Sequence, residues 1–241
     1  MRIIKWEQLP AEMQTEEVRK YYDILQKKNG ALFMKRAFDL LVSAALLVIL
    51  FPVFLVLAIA IKLDSPGPVF YRQERVTQYG KHFYIHKFRS MVLHADEGTQ
   101  VTVHNDCRIT RVGKIIRNCR LDEIAQLIDV LSGNLTLVGV RPEVPHFVEQ
   151  YTAEMQATLL LPAGVTSLAS IYYKDEAKLL DSAEDADKTY AEKILPGKMY
   201  YNLKGMEQFS LATDVKILFM TVFAVLGKQY SAKSGEGEIE T

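Results

Sequence analysis

The chain has 241 residues, its formal net charge is zero, and 49% of its residues are hydrophobic. These values exclude a disordered chain and leave room for one large domain or two small ones with a substantial core. Cys107 and Cys119 are too few for a disulfide framework, so a reducing, cytosolic environment is expected. The first residues also lack the apolar stretch of a signal peptide.

Charge is distributed unevenly along this neutral chain. Between residues 72 and 120 there are ten Lys or Arg residues against four Asp or Glu residues. Between residues 143 and 198 the balance reverses, with ten acids against five lysines. A basic middle segment predicts an anionic partner, such as phosphate, nucleic acid or a lipid headgroup.

Residues Pro10 to Lys28 predict an amphipathic helix that ends at the Asn29-Gly30 pair. Its apolar side chains have the i, i+3, i+4, i+7 spacing of one helix face: Val18, Tyr21, Tyr22 and Leu25. Two interpretations stay open for this helix. It packs on the rest of the protein, or it lies on a membrane surface.

The next segment, Leu40 to Ile61, has 22 residues and no charge. A straight helix of this length spans about 33 Å, which is enough to cross the hydrocarbon core of a bilayer. Few buried helices of soluble proteins are apolar on every face over this length. We therefore expect the segment to lie in a membrane.

Pro52 lies near the middle of this apolar segment and predicts a kink, because proline removes one backbone hydrogen bond and clashes with the preceding turn. Basic residues flank both ends, with Lys35 and Arg36 before the segment and Lys62, Arg72 and Arg75 after it. The positive-inside rule therefore gives no direction of insertion. A bent helix that enters and leaves by the cytosolic face fits this symmetry, and a single kinked span is the alternative.

After a turn at Ser65 to Pro68, the segments "VFYRQERV" and "HFYIHKFRSM" predict a β-hairpin around residues 78–81. A basic helical stretch follows, then a helix from Asp122 to about Leu131, a turn, and the short apolar strand "LTLVGV". Beyond Pro162 the pattern predicts a loop and an acidic helical stretch from Ala177 to Leu195. The apolar run Asp214 to Leu226 is too short to span a bilayer and predicts docking on the core or at the membrane interface.

Every third residue is basic in "RITRVGKIIRNCR", namely Arg108, Arg111, Lys114, Arg117 and Arg120. On a helix these residues form a spiral, and the apolar residues Ile109, Val112, Ile115 and Ile116 are expected on the other side. The basic residues are either ordinary solvated charges, or one or two of them clamp phosphate with the guanidinium fork.

Asp122 and Glu123 start the next predicted helix. Acids in a first turn stabilise a helix through its dipole, so this pair has a purely structural explanation. The alternative is chemical, because an Asp at a helix start among arginines is expected to stay ionised and nucleophilic. Adjacent helical residues point in different directions, so the two carboxyl groups are expected to have separate roles.

Other chemistries have less support in the sequence. His82, His86, His94 and His104 have no zinc-ligand spacing relative to the two cysteines. There is no Walker-type glycine loop, and Ser90 and Ser167 lie in no nucleophile-elbow pattern.

Five blocks in order carry a family resemblance: the helix-forming block that starts at Lys35, the "SPGPVFYRQERV" block, "GKHFYIHKFRSM", "TRVGKIIRNCRLDEIAQL" and "LTLVGVRPE". The stretch from Lys35 to about Leu226 resembles the bacterial sugar transferases of the monotopic phosphoglycosyl transferase family. These enzymes move a sugar phosphate from a nucleotide sugar to polyprenyl phosphate. The resemblance decides the question of Asp122 and Glu123 in favour of chemistry.

The resemblance implies a role for each motif position. Asp122 is expected to be the nucleophile and a Mg2+ ligand, with Glu123 as its catalytic partner. Lys87, Arg117 and Arg141 match cationic positions that bind substrate phosphates, and Pro52 matches the proline that breaks the re-entrant membrane helix.

The sequence departs from the family pattern at several positions. Phe51 stands where a serine often precedes the proline, so a hydroxyl that bonds freed backbone carbonyls is missing. Ala125 and Val140 replace prolines of the common "LDELPQL" and "GPRP" motifs, and neither replaces a reacting group. The altered pattern after "LLPAGVTSLASI" leaves the sugar unspecified. The chain resembles the compact type that lacks a multi-span N-terminal half.

The predicted fold is therefore α+β: a mostly helical single catalytic domain with a short β-hairpin and an N-terminal re-entrant, kinked membrane helix. Its expected parts are an amphipathic extension (1–34), the re-entrant membrane helix (35–62), a cytosolic transferase domain (63–228) and a disordered tail (229–241). The family implies location at the bacterial inner membrane, facing the cytosol, at the first membrane step of surface glycan assembly.

The expected reaction joins a sugar-1-phosphate from a UDP-sugar to polyprenyl phosphate through an aspartyl intermediate, and it releases UMP. Expected partners are the UDP-sugar, polyprenyl phosphate, Mg2+ and inner-membrane lipid, with downstream glycosyltransferases and an oligomer left open and no nucleic acid. The alternative from another class is an inactive membrane-anchored scaffold or binding protein.

Overall fold

The computed structural model describes residues 1–92, 108–176, 180, 183 and 185–230. The predicted α+β class is confirmed, because helices dominate and the strands are few and short. The helices are α1 (Glu16–Gln26), α2 (Asn29–Asp64), α3 (Arg111–Asn118), α4 (Leu127–Ser132), α5 (Pro145–Val148), α6 (Leu168–Tyr172), α7 (Ala186–Thr189), α8 (Leu195–Glu207) and α9 (Leu211–Val225). The strands are β1 (Phe70–Val76), β2 (His82–Phe88), β3 (Leu135–Val138) and β4 (Ala163–Thr166).

Helix α1 packs on the protein, as one of the two sequence interpretations expected. All four residues of its predicted apolar face are buried, and they join a core cluster with residues of α8 and of the 3-10 turn Met155–Leu160. Thr15 caps the helix by accepting a hydrogen bond from the Val18 amide at 3.4 Å. The apolar face is therefore covered by protein, and the membrane-surface interpretation of α1 is wrong.

Helix α2 contains the predicted membrane segment and extends beyond it at both ends. In the part of the chain that the structure describes, it is the one helix long and apolar enough to cross a membrane. Its most apolar 18-residue window has a mean hydropathy of 3.1, and only 11% of that window is buried in the protein. Such a surface needs an apolar surrounding, so the protein is membrane-anchored.

Pro52 lies inside α2, and the helix continues through it to Asp64. Because proline has no backbone N–H, the Val48 carbonyl lacks its usual partner four residues on. The neighbouring Phe51 is 66% exposed and offers no hydroxyl to replace it. The bend at Pro52 and the re-entrant path of α2 stay predictions.

The first turns of α2 are anchored to α4, β3 and α9 by buried or partly buried polar groups. Lys35 donates to Asp214 of α9 at 2.6 Å, and Asp39 accepts from the Thr136 hydroxyl on β3. Arg36 donates to the carbonyl oxygens of Val130 and Leu135 at 2.8 and 3.1 Å. Polar side chains at this depth are stable only when paired, so these contacts fix the direction in which the apolar part leaves the domain.

The other end of α2 is tied to helix α3. Asp64 accepts a hydrogen bond from the Val112 amide at 2.9 Å, which satisfies an orphan donor at the start of α3. Gly113 lies so close to Ser90 that an added Cβ would stand 2.0 Å from the Ser90 carbonyl oxygen. The end of the membrane helix therefore sets the position of α3 and of the basic residues on it.

The predicted hairpin is confirmed. Strands β1 and β2 pair antiparallel from Phe70 opposite Phe88 to Val76 opposite His82, with the turn at Gln78–Gly80. The expected strand at "LTLVGV" is also present as β3.

The loop expected after Pro162 is wrong in part, because residues 163–166 form strand β4, parallel to β3. The backbones meet so closely that a Cβ at Gly164 of β4 would lie 2.1 Å from the amide nitrogen of Gly139, the residue after β3. Only glycine permits that approach.

Three further details differ from the sequence expectations. Ile115, expected on the apolar side of α3, is 64% exposed, because Gly113 and Ile116 form the buried face of this helix instead. Asp122 and Glu123 lie in a 3-10 turn, Leu121–Gln126, rather than in the first α-helical turn. The acidic helical stretch expected from Ala177 to Leu195 is helical at Leu180 and from Ala186 onward, but it continues past Leu195 into α8, while residues 177–179, 181–182 and 184 lie outside the described part.

Helix α9 confirms the expected docking of the C-terminal apolar run. Its inner face carries the buried residues Asp214 and Ile217, whereas Phe219, Val222 and Phe223 are at least half exposed.

Of the predicted tail 229–241, residues 231–241 lie outside the described residues.

Candidate active site

The Asp122-Glu123 pair lies on the 3-10 turn Leu121–Gln126, directly after a sharp change of chain direction. Arg120, the residue before this turn, has a left-handed backbone with φ of 54°. This conformation is unusual for a residue other than glycine and is stabilised here by the surrounding structure. It separates α3 from the acidic turn, so residues from both elements meet at one site.

Apolar packing holds this turn against the second half of the membrane helix. Leu57 and Ile61 of α2 share a buried cluster with Phe88 of β2, Ile116 of α3 and Ala125 of the acidic turn. Each of these last three lies within three residues of a predicted site residue: Lys87, Arg117 or the acidic pair. The membrane helix is therefore the surface on which the site is assembled.

Glu123 is paired with Arg141. Arg141 Nη2 donates to Glu123 Oε1 at 2.5 Å, and both side chains are at most a quarter exposed. Arg141, followed by Lys87, lowers the pKa of Glu123 to about 2 against the opposing effect of burial. The same pairing raises the pKa of Arg141, so both groups are charged at neutral pH.

Asp122 is in a different situation from its neighbour. Burial, followed by the charge of Glu123, raises the pKa of Asp122, while Lys87, Arg117 and Arg141 lower it. The cations that were expected to keep Asp122 ionised are present. The effect of burial on the pKa of Asp122 is larger than theirs, so the net change is upward. Among described atoms, Asp122 Oδ1 has no hydrogen-bond partner, although it is buried. A buried acceptor left unpaired in this way points to a ligand at that oxygen.

Lys87 lies on β2 opposite Tyr71 of β1 and is partly buried. Burial and the nearby charges of Arg141 and Arg75 lower the pKa of Lys87 to about 8. Arg117 lies in the last turn of α3, where its charge acts on Asp122. The structure thus brings together five predicted site residues, namely Lys87, Arg117, Asp122, Glu123 and Arg141. Pro52 lies on α2, the helix whose later residues pack against this site.

Two supports of this site were not predicted from the sequence. Asp129 accepts from the His86 amide at 2.8 Å and from His86 Nδ1 at 2.7 Å, which fixes the strand next to Lys87. No spacing rule links His86 and Asp129, which are 43 residues apart. The strand and its "HKFRSM" motif were predicted, but this contact was not.

The second support is a buried network around Glu143. Glu143 accepts from the Tyr190 hydroxyl at 2.6 Å, and Lys198 donates to the same hydroxyl at 2.7 Å. Arg75 donates to the carbonyl of Pro142 at 3.1 Å. The network connects the segment after Arg141 to α8. In the sequence, only the "RPE" motif, which contains Glu143, indicated that this segment belongs to the site.

The donor set of this site fits Mg2+ in one particular way. Among the residues that the structure describes, no group of three or more His, Cys, Asp or Glu side chains converges. Mg2+ commonly binds through one or two carboxylates, several waters and substrate phosphates rather than in an all-protein cage. The unpartnered Asp122 Oδ1 suits that mode, whereas Glu123 is already held by Arg141.

Comparison with known proteins identifies the architecture around this site. A family model described as bacterial sugar transferase matches residues 30–228. The chain belongs to the bacterial sugar transferase family. The match covers the membrane helix, the hairpin, the acidic turn and α9, so the whole candidate site lies within the family region.

Individual relatives are similar to this chain over about four-fifths of its length. It is 36% identical over 198 residues to a UDP-N-acetylgalactosamine-undecaprenyl-phosphate N-acetylgalactosaminephosphotransferase of Aeromonas hydrophila, covering 80% of this chain and 44% of that protein. It is 36% identical over 201 residues to a UDP-glucose:undecaprenyl-phosphate glucose-1-phosphate transferase of Klebsiella pneumoniae, covering 81% and 41%.

A third relative has a length closer to that of this chain. The exopolysaccharide production protein PSS of Rhizobium leguminosarum bv. phaseoli is 34% identical over 203 residues, which cover 81% of this chain and 96% of that protein. The chain therefore spans less than half of the first two relatives and nearly all of the third.

Proposed function

We propose that the protein transfers a sugar-1-phosphate from a UDP-sugar to polyprenyl phosphate, giving a polyprenyl diphosphate sugar and UMP. The observation that carries this proposal is the buried Asp122 carboxylate with an unpartnered oxygen, surrounded by three cationic side chains and packed on a membrane helix. The names of the relatives, which act on UDP-sugars and undecaprenyl phosphate, support the same substrates.

The proposed reaction has two steps with the same reacting phosphorus. In the first, an Asp122 oxygen forms a bond to the β-phosphorus of the UDP-sugar, the P–O bond to the α-phosphate breaks, and UMP departs with the electron pair. In the second, an oxygen of polyprenyl phosphate bonds to that phosphorus, and the Asp122–phosphorus bond breaks to regenerate the carboxylate. No proton is consumed or released, so the chemistry relies on positioning and electrostatics.

The residues around Asp122 have separate tasks in this proposal. Lys87, Arg117 and Arg141 offset the charge of the phosphate groups, which otherwise repel the attacking carboxylate. Glu123 holds the Arg141 guanidinium in place through their 2.5 Å contact and does not react itself. Asp122 Oδ1 would hold Mg2+, which supplies further charge neutralisation at phosphate oxygens when bound.

We place the protein at the bacterial inner membrane with both ends of α2 on the cytosolic side, because basic residues flank both ends of the apolar segment and Pro52 lies in its middle. Single cysteines at Phe33 and Leu63, both highly exposed, are tested in a background without Cys107 and Cys119. A membrane-impermeant thiol reagent is expected to label neither site in intact cells and both sites after permeabilisation. Labelling of one site only in intact cells supports a single span instead.

The product of this reaction is a lipid-linked sugar that other glycosyltransferases extend. We therefore place the reaction at the first membrane step of surface glycan assembly, which agrees with the name of the exopolysaccharide production relative.

The decisive experiment measures UMP release by the purified protein in detergent. The panel consists of UDP-glucose, UDP-galactose and UDP-N-acetylgalactosamine, each tested with undecaprenyl phosphate and Mg2+. We expect UMP and a lipid-linked sugar in equal amounts with at least one donor, and loss of both on chelation. No UMP from any donor supports the alternative of an inactive membrane-anchored scaffold.

The lowered pKa of Lys87 predicts a pH dependence of nucleotide-sugar use. With a pKa of about 8, Lys87 is protonated below pH 8 and loses its charge above it, so the free enzyme loses a phosphate-binding cation. We expect kcat/KM for the UDP-sugar to fall about tenfold per pH unit above this value. Lys87→Arg stays charged and is expected to move the falling limb by at least one pH unit.

The control for this profile is Lys81→Arg, an exposed lysine in the same hairpin. It is expected to leave the limb at its wild-type position. A Lys87→Arg profile that overlays the wild-type profile assigns the titration to another group.

A further inference from the structure

A polar pocket shares Arg141 with the acidic pair, because Arg141 both lines the pocket and contacts Glu123. The pocket encloses about 40 Å³, which leaves room for more than one oxygen atom. Its lining includes four cationic side chains and one carboxylate: Arg120, Arg141, Lys174, Lys198 and Glu176. The cationic lining predicts an anion as its occupant.

The charges of the four cations are not all neutralised. Glu123 pairs with Arg141, and Glu176 accepts from Lys198 at 3.1 Å. In contrast, the described hydrogen bonds of the other two cations go to neutral backbone carbonyls, from Arg120 to Lys174 and from Lys174 to Lys228, both at 3.0 Å. Arg120 and Lys174 are therefore available to bind a phosphate without giving up a described ion pair.

Two residues that line the pocket also contact the acidic pair and the segment after α9. Arg141 donates a hydrogen bond to Glu123 and also lines the pocket. Lys174 contacts the Lys228 carbonyl, just after the end of α9, where Phe223 is 50% and Leu226 is 76% exposed. A phosphate in the pocket would thus lie near both the acidic pair and an exposed apolar surface suited to a hydrocarbon chain.

In-line phosphoryl transfer restricts what this pocket can hold. In both steps of the proposed reaction, an Asp122 oxygen lies on one side of the reacting phosphorus. The other oxygen, leaving in the first step and attacking in the second, lies on the opposite side. The phosphate of UMP and the phosphate of the polyprenyl acceptor therefore need the same place in turn.

We propose that Arg120 and Lys174, with Arg141 and Lys198, form one phosphate subsite that binds the departing UMP phosphate and then the incoming polyprenyl phosphate. This inference rests on the proposed two-step reaction. Neither Arg120 nor Lys174 was a predicted site residue with a defined role, and their separation along the chain hides their proximity.

Product inhibition distinguishes one shared subsite from two separate ones. Initial rates are measured in detergent with UMP added, varying farnesyl phosphate as a short prenyl acceptor in one series and the UDP-sugar in the other. With a shared subsite, UMP competes with farnesyl phosphate and is non-competitive toward the UDP-sugar. Competition with the UDP-sugar alone indicates separate subsites and overturns the inference.

The residues are tested with Arg120→Gln and Lys174→Gln. Each is expected to raise the KM for farnesyl phosphate and the inhibition constant of UMP together, by about tenfold. Arg120→Lys and Lys174→Arg keep the charge and are expected to restore most of both affinities. Lys114→Gln, at an exposed position of α3 outside the pocket, is the matched control and is expected to change neither.

The remaining outcomes also decide the question. If a glutamine variant changes only one of the two constants, or neither, the shared subsite is wrong while the proposed function stands. If the wild-type protein releases no UMP from any UDP-sugar, the proposed function itself fails.

Discussion

Asp122→Asn is expected to abolish turnover, with a fall in kcat of at least about a thousandfold, because the amide cannot form the acyl phosphate bond. The sharper measurement is covalent labelling. Wild-type protein incubated with a UDP-sugar labelled in the sugar, with Mg2+ and without lipid acceptor, is expected to retain about one labelled phospho-sugar per active site. Asp122→Asn is expected to retain none.

Two further variants make this result specific to Asp122. Glu123→Gln removes the partner of Arg141 but leaves the nucleophile, so slow labelling is expected rather than none. Glu149→Gln changes an exposed acid that is not part of the candidate site, and this variant is expected to label like wild type. A wild-type protein that turns over yet never carries label assigns Asp122 to metal binding alone, with direct transfer between the two substrates.

The parts of the fold that the sequence predicted are those encoded by local patterns. The membrane helix follows from an uninterrupted apolar run, and the β1–β2 hairpin follows from two strand-forming segments joined by a short turn. The positions of Asp122, Glu123, Lys87, Arg117 and Arg141 follow from family motifs. Their meeting at one site needed the structure, since four separate segments carry them: β2, α3, the acidic turn and the loop after β3.

The parts that were missed depend on distant partners. Strand β4 has only four residues and is nearly all buried, so it shows no alternating pattern, and its pairing with β3 relies on close approach at Gly139 and Gly164. Glu143 and Tyr190 are 47 residues apart, and no sequence rule predicts that the two side chains share a hydrogen bond. Ile115 was misplaced because a periodic pattern cannot tell which of two adjacent isoleucines faces the core.

The elevated pKa of Asp122 is another property that composition does not reveal. The surrounding basic residues suggested a readily ionised carboxyl group, but burial of the acidic turn on α2 acts in the opposite direction. In the proposed reaction, poor solvation of the Asp122 carboxylate beside cations would favour its attack on a substrate phosphate. The same burial would then link the membrane helix to the proposed chemistry.

Arg141→Met is expected to remove activity and to destabilise the fold, because it leaves the Glu123 carboxylate without its principal partner. The pKa of Glu123 is about 2 in the folded protein and about 4.5 when unperturbed, so the charged form is favoured by about 3 kcal/mol. This stabilisation is complete above about pH 4.5 and is lost as the pH falls toward 2. We expect Arg141→Met to lower the Tm in detergent by roughly 6–12 °C at pH 7, with a smaller difference from wild type below pH 4.

The double variant Glu123→Gln/Arg141→Met separates stability from function. Removing both members of a buried ion pair leaves no orphan charge, so the Tm is expected to recover most of the loss seen in Arg141→Met. UMP release is expected to stay at the level of Arg141→Met, because the double variant still lacks a cation beside the reacting phosphate. Recovery of both stability and UMP release reduces Arg141 to a structural partner of Glu123, and phosphate binding then depends on Lys87 and Arg117.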